Sequence, residues 1–249
     1  DGRGPLVGSS HRPVHGEPPH PLSRTPIERI LETGLKAVDG LCTIGCGQRM
    51  GIFASPGLGK SVLLGEMAKS ATSDVNVIAL VGERGREVGE FIDKVLGPDG
   101  LQRSVVVVAT SDRPVVERLN AAFAAHALAE HFRDAGLDVL LMLDSITRFC
   151  QAQRELGLAA GEPPTVRGYP PSAFALLAPM LERAGTGASG SITGLYTVLM
   201  DGDEDDDPVA DQVRGIIDGH LLLSRDLAAR GVYPAIDLGR SVSRLIVDL

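Results

Sequence analysis

Hydrophobic positions along the chain gather into short, solid apolar runs separated by longer stretches of mixed polarity. Runs rich in β-branched residues and bounded by turn formers occur at RMGIFA (49–54), VNVIALV (75–81), SVVVVAT (104–110), DVLLMLD (138–144), SITGLYTVLM (191–200) and HLLLS (220–224). Most are apolar at every position, not every second one, the pattern of strands covered on both faces in a parallel sheet. Between them, helical spacing spans 61–72, 87–96, 115–135 and 172–184. In the third of these, Val116, Leu119, Phe123, Ala127 and Leu128 mark one face, while His126 and His131 read as packed or surface histidines, not ligands. The alternation of strand and helix predicts a doubly wound α/β architecture, a mostly parallel sheet with helices on both faces.

Residues 1–24 are crowded with Gly, Pro and His and have no apolar period, so they read as an extended linker or arm ahead of one domain over 25–249. His11, His15 and His20 are too irregularly spaced for a metal tract and read as solvated loop residues. The chain opens without Met and stops inside the apolar run RLIVDL, so it is expected to be an excised piece.

Composition narrows the function classes. With 24 basic against 32 acidic residues the formal charge is −8, aromatics are 4% and Trp is absent. Such a surface suits neither a broad grip on polyphosphate nor the stacking of bases, so no nucleic-acid partner is expected. Cys42, Cys46 and Cys150 form no CxxC and lie beside no His pair, which reads as buried free thiols in a reducing compartment. No uncharged apolar run approaches ~18 residues and no basic-then-apolar leader is present, so the chain is expected to be soluble and cytoplasmic.

The stretch GIFASPGLGKSVLLG (51–65) carries the clearest chemistry. The pattern GxxxxGK[ST], after a strand and before a helix, aims successive backbone N–H groups and a helix amino end at phosphate oxygens. Ser55, Pro56, Gly57, Leu58, Gly59, Lys60, Ser61 and Val62 make this cradle, with Lys60 reaching the β and γ phosphates and the Ser61 hydroxyl ligating Mg²⁺. Ala54 replaces the first glycine and Pro56 removes one donor, but 57–62 keeps an unbroken run of them. An ordinary strand–turn–helix corner would not require Lys then Ser after the second Gly. Asp144 ends an apolar strand, where open α/β sheets bind ligands, and is the candidate Mg²⁺ acid. Hydrolysis needs a group to orient water in line with the γ phosphate, and Glu83, just past the strand 75–81, supplies one. The acidic run 201–208 has odd spacing at Asp201, Asp203 and Asp205, but Asp206 and Gln212 stand where a calcium loop needs Gly and Glu; it reads as a solvated loop.

The strings TGLKAVDGLCTIGCGQRMGIFASPGLGKS, GERGREV, GYPPSAFALLAPMLERAG and YPAIDLGRSVSR together resemble the export ATPases of type III secretion systems and their flagellar counterparts, relatives of the catalytic β subunit of rotary ATP synthases. The resemblance covers nearly the whole chain. It implies a RecA-like P-loop ATPase domain, using ATP and Mg²⁺, in a homohexameric ring with active sites between neighbours. Position by position it implies that Lys60 and Ser61 are the phosphate-loop pair, Glu83 the catalytic carboxylate, Arg84 the arginine beside it and Asp144 the Mg²⁺ acid. It further implies that Tyr233 stacks on adenine and that Arg244 is an arginine finger given to the adjacent subunit. The implied partners are secretion chaperones, export substrates, and the central stalk and regulator proteins of an apparatus that places the enzyme peripherally, at the cytoplasmic face of the inner membrane. An amino-terminal β barrel and a carboxyl-terminal helical domain belong to the family pattern and are not in this chain, so weak turnover is expected of it as a monomer.

Four alternatives share the fold. An inactive ring subunit carries an amide where this chain has Glu83, and a ring translocase for RNA conflicts with the charge and the few aromatics. The catalytic subunit of a rotary ATP synthase is disfavoured by GERGREV and RGYPPSAFALL, and the flagellar exporter ranks just behind the secretion variant.

Overall fold

The computed structural model describes Gly4 and residues 11–200 and 207–245. The strands are β1 (Ile30–Leu31), β2 (Ile44–Gly45), β3 (Arg49–Ala54), β4 (Val75–Val81), β5 (Ser104–Ala109), β6 (Asp138–Asp144), β7 (Gly185–Thr186), β8 (Ser191–Leu199), β9 (Gly219–Leu222) and β10 (Val242–Ser243). The helices are α1 (Lys36–Leu41), α2 (Lys60–Ser70), α3 (Gly85–Glu90), α4 (Gly97–Gln102), α5 (Val115–Asp134), α6 (Ile146–Ala159), α7 (Pro171–Ala175), α8 (Leu177–Leu181), α9 (Pro208–Ile216) and α10 (Arg225–Ala229).

The main sheet runs β10-β9-β3-β8-β6-β4-β5, with β7 antiparallel on β8. Along that path every pairing from β9 to β5 is parallel, and β10, at the edge, is antiparallel. The solid apolar runs are explained by two cores that share the same strands. Val77, Ala79, Val81, Leu141 and Leu143 face one core with α5 and α6, whereas Ile78, Leu80, Leu140 and Met142 face the other with α2. Alternate residues point to opposite faces and both faces are dry, so no polar period can form.

Several expected elements shift. The helix read at 172–184 is two short ones, α7 and α8, because Pro179 lacks an N–H for Ala175, the last residue of α7, and crowds its carbonyl. The segment read at 87–96 begins two residues earlier as α3 and continues as a π turn, Phe91–Leu96. The strand read at 220–224 is β9, ending at Leu222. In α5 the stripe holds except at Val116, which is 53% exposed in the first turn. His126 is packed: its Nδ1 meets Ala122 O at 2.8 Å, its Nε2 meets the Tyr196 hydroxyl at 3.2 Å, and burial pulls its pKa down to about 4. His131 is exposed. All three cysteines are free and buried.

The described part of the arm is strapped across α5 rather than free. Arg183, 1% exposed, holds Glu130 through Nε and Nη2 (2.7 and 2.9 Å) and the Val14 carbonyl through Nη1 (2.9 Å), while Arg12 reaches Glu130 and Asp134. The ring of His15 meets Phe123 at 4.5 Å, although His15 itself stays exposed. Among the described residues no group of three His, Cys, Asp or Glu could hold a metal ion, and no helix is long and apolar enough to cross a membrane. Asp201, Asp203, Asp205 and Asp206 lie outside the described residues.

Candidate active site

Sheet order decides which side chains meet. β3 ends in the glycine-rich loop, β6 ends in Asp144, and β8 lies between them; β4 flanks β6 on the far side, with Leu80 in register with Asp144. The carboxyl ends of these strands therefore converge, and Glu83 follows Leu80 by three residues.

In the loop, Gly57 and Gly59 take φ +84° and +83°, the left-handed region open to glycine without strain, and a Cβ at Gly57 would meet nothing within 4 Å. Gly59 is the residue before α2, so the unpaired first-turn amides of that helix face the loop. Ser55 and Leu58 are buried and anchor the loop, while Pro56, Gly57, Ser61 and Val62 are exposed along its rim.

Lys60 Nζ donates to Asp144 Oδ1 and stands 3.9 Å from Glu83 Oε1. The same Asp144 oxygen accepts the hydroxyl of Thr197, on the intervening strand, at 2.7 Å, and Asp144 is 3% exposed. Glu83 Oε1 is buried with no hydrogen-bond partner. Burial foremost, then the charge of Asp144, pushes the Glu83 carboxyl up to about 7, with Lys60 opposing. Ser61, Glu83, Glu87 and Asp144 line one small recess beneath this cluster.

A cavity of about 340 Å³ opens over the loop, lined also by Arg84, Glu87, Arg148 and Leu199. Arg84 is exposed and stands 3.3 Å from Glu87. A second cavity of about 490 Å³, mostly apolar, shares Gly57, Gly59 and Val62 with the first and is walled by Leu35, Leu223, Ala235 and Tyr233. Tyr233 is 61% exposed, and its ring lies 3.5 Å from where a Gly59 Cβ would be. A further cavity of about 350 Å³ lies away from these residues, among Thr25, Arg29, Cys46 and the turn before Ser191. Its Arg29 is already bidentate on Asp138 at 2.7 and 2.8 Å, so it offers little unspent charge.

The structure thus brings together Ser55 to Val62 in sequence, Glu83, Arg84, Asp144 and Tyr233. It does not bring Arg244 to them. Ser243 pairs with Gly219, and Gly219 with Met50 at the start of β3, so Arg244 lies at the opposite end of the sheet, exposed. Sequence reasoning missed two residues. Thr197 orients Asp144 from the middle of an apolar strand, where nothing marks it. Arg148, in the first turn of α6, places a buried Nε without a hydrogen-bond partner beside the first cavity. It lies four residues past Asp144, and its own N–H is capped by Ser145 Oγ at 3.3 Å, so the Ser at the start of α6 is the signal that marks it.

The arrangement suits a magnesium-bound triphosphate. It offers loop amides and lysine to an anion, the Ser61 hydroxyl and Asp144 to a hard cation that arrives with it, an orphaned carboxylate oxygen to a water, and an apolar slot to a base.

Residues 34–243 match the ATP synthase alpha/beta family, nucleotide-binding domain. Over 249 residues the chain is 59% identical to a type 3 secretion system ATPase of Xanthomonas euvesicatoria, covering 100% of this chain and 56% of that protein. It is 54% identical over 248 residues to a flagellum-specific ATP synthase of Bacillus subtilis strain 168, covering 99% of this chain and 57% of that one. Among solved structures, a prototypical ATPase from the type III secretion system of pathogenic bacteria superposes with TM-score 0.96 at 49% identity, covering 100% of this chain and 72% of that chain. The assembled ATPase EscN of the enteropathogenic E. coli system superposes with TM-score 0.91 at 49% identity, covering 98% and 61%. The expected P-loop NTPase fold is the one observed. The chain spans about half the length of the curated relatives it matches.

Proposed function

Because the chain belongs to the ATP synthase alpha/beta family through its nucleotide-binding domain, we propose that it hydrolyses ATP and that its full-length protein is one subunit of a homohexameric ring driving protein export through a type III secretion system. The secretion use is favoured by 59% identity to a secretion ATPase against 54% to a flagellar enzyme. One solved relative is an assembled ATPase in complex with its central stalk, which supports a ring with a stalk partner here. Secretion chaperones and unfolding export substrates complete the proposal, with the ring at the cytoplasmic face of the inner membrane.

The loop amides of 57–62 and Lys60 hold the β and γ phosphates, with Lys60 leaving Asp144 for the stronger anion. Ser61 and Asp144 would hold Mg²⁺, and Thr197 keeps Asp144 aimed as the lysine departs. When bound, Mg²⁺ held there would supply positive charge to the phosphates. Arg84 and Arg148 add positive charge at the mouth of the same cavity. Glu83 orients a water and accepts its proton at Oε1, and a carboxyl poised near 7 is matched to that exchange. Tyr233 stacks on adenine, and Arg244 serves the neighbouring subunit.

The observation that carries this reading is the buried, unpartnered Glu83 Oε1, 3.9 Å from the loop lysine. In the full-length protein, Glu83→Gln is expected to leave ATP affinity within about threefold and to lower kcat by roughly 10² to 10⁴. Undiminished turnover overturns the assignment. Release of a cognate chaperone from its export substrate, dependent on ATP, tests the export part.

A further inference from the structure

We propose that Arg49 and Asp218 form a positioning pair for Arg244, setting the posture of the arginine that one subunit presents to the next. The inference rests on the reading of Arg244 given above and adds two residues that line neither cavity at the loop.

The two residues grip each other through main chain and side chain. Asp218 N donates to Arg49 O (2.9 Å), and Arg49 N donates back to Asp218 Oδ2 (3.0 Å). The guanidinium then closes on the carboxylate, Nε to Oδ2 at 3.1 Å and Nη2 to Oδ1 at 3.0 Å. Its last nitrogen, Nη1, goes to Glu182, so each of the three guanidinium nitrogens of Arg49 is engaged. A planar fork held on both sides fixes orientation as well as distance.

What this fork fixes is a carbonyl. Asp218 O accepts the backbone N–H of Arg244 at 3.0 Å and Gln48 Nε2 at 3.4 Å. The following residue, Gly219, is packed too closely for a side chain: a Cβ there would meet Val242 O at 2.4 Å and Met50 Sδ at 2.8 Å. The strand before Arg244, β10, has only two residues, too few to hold a turn by themselves. The bond from Asp218 carries the ladder one residue past its end, and among the described residues no side chain pairs with Arg244. The orientation of Arg244 is therefore inherited from the peptide that Arg49 and Asp218 clamp.

Such a residue must place its guanidinium on the transferring oxygens of another subunit, where a displacement of ~1 Å costs on the order of 10²-fold in rate. If the pair only closed the end of the sheet, its loss would lower thermal stability and ring assembly without singling out the step that Arg244 serves.

The test uses full-length protein in assembled rings. Arg244→Ala is expected to lower kcat by roughly 10³-fold or more. Asp218→Asn is expected to lower kcat by about 10- to 100-fold, with KM for ATP within about twofold and assembly unchanged. In the Arg244→Ala background Asp218→Asn should cost nothing further, since there is no guanidinium left to aim. Mixing Asp218→Asn subunits with Lys60→Ala subunits, which lack a working loop but keep a well-aimed Arg244, should restore hydrolysis. Should Asp218→Asn rings fail to assemble, Arg49→Lys, which keeps a charge but loses the fork, is read in the same way. Normal turnover by Arg244→Ala would sink the shared-site reading and this inference together. An inactive Arg244→Ala beside a fully active Asp218→Asn would sink this inference alone. So would losses that multiply in the double variant, or mixed rings that rescue Arg244→Ala and not Asp218→Asn.

Discussion

At the scale of one residue, the base role proposed for Glu83 joins structure to rate and stability through a single proton. Its carboxyl, pushed from 4.5 to about 7 by burial and by Asp144, is half ionised near neutrality in the free protein. As a base it works only when ionised, so kcat/KM for ATP is expected to rise with pH through about 7, and a flat profile from pH 5.5 upward would remove it from that role. The same shift has a stability consequence of opposite sign. A raised acid pKa means the folded chain holds the proton more tightly than the unfolded one, so the associated stability is full below 4.5 and lost as pH rises through about 7. Glu83→Gln keeps the shape without the buried charge. Nucleotide-free Glu83→Gln protein should therefore gain stability over wild type at pH 8, by roughly 1 to 3 kcal/mol, and gain little at pH 5. Thermal melts at the two pH values decide it, and an equal gain at both would mean the charge is not what the fold resists.

At the scale of elements, legibility followed burial. β3, β4 and β6 were readable to the residue because strands covered on both faces have no polar position to blur the run. The loop was readable because its backbone needs glycine at Gly57 and Gly59. What escaped has physical reasons. The buried stripe of α6 is built from Thr147, Cys150, Gln153 and Gly157 among its apolar members, so it does not look hydrophobic, and Arg148 was lost with it. α9 opens on Asp207, whose carboxylate caps Val209 N and Ala210 N at 2.9 and 3.1 Å, with Pro208 behind it. That start signal sits at the end of an acidic run, whose other carboxylates make Asp207 look like one more solvated loop residue. Contacts between elements were not legible at all, and Gly65 in α2 shows why. Helix propensity alone would favour Ala there by ~1 kcal/mol, but an added Cβ would lie 2.0 Å from Val95 Cγ1 and 3.3 Å from Val95 Cβ. A β-branched side chain cannot swing away, so the overlap costs about 1 to 3 kcal/mol and outweighs the propensity gain. Gly65→Ala should lower the melting temperature and, because α2 begins at Lys60, weaken ATP binding in a nucleotide titration.

At the scale of the whole molecule, the sheet keeps the two halves of the proposed site apart. The loop leaves β3 after Ala54, whereas Arg244 follows the residue in register, through β9, with Met50. Four residues along a strand are about 13 Å, and β10 stands two strand spacings, about 10 Å, to the side of β3. An arginine side chain does not span that separation through a packed sheet. On the role proposed for Arg244, a subunit therefore cannot complete its own transition-state cage. Hydrolysis should then depend on encounter between subunits, whereas ATP binding, proposed to use the loop and the Tyr233 slot of one chain, should not. Specific activity of the full-length protein is expected to climb steeply with protein concentration and then level off, while the dissociation constant for ATP stays level across the same range. Adding Arg244→Ala protein to a dilute wild-type sample sharpens the distinction. The variant has an intact loop and slot, so it can be served by a wild-type neighbour's arginine, and activity per wild-type subunit should rise. Brisk turnover that is independent of concentration, and indifferent to the added variant, would place the whole reaction within a single chain.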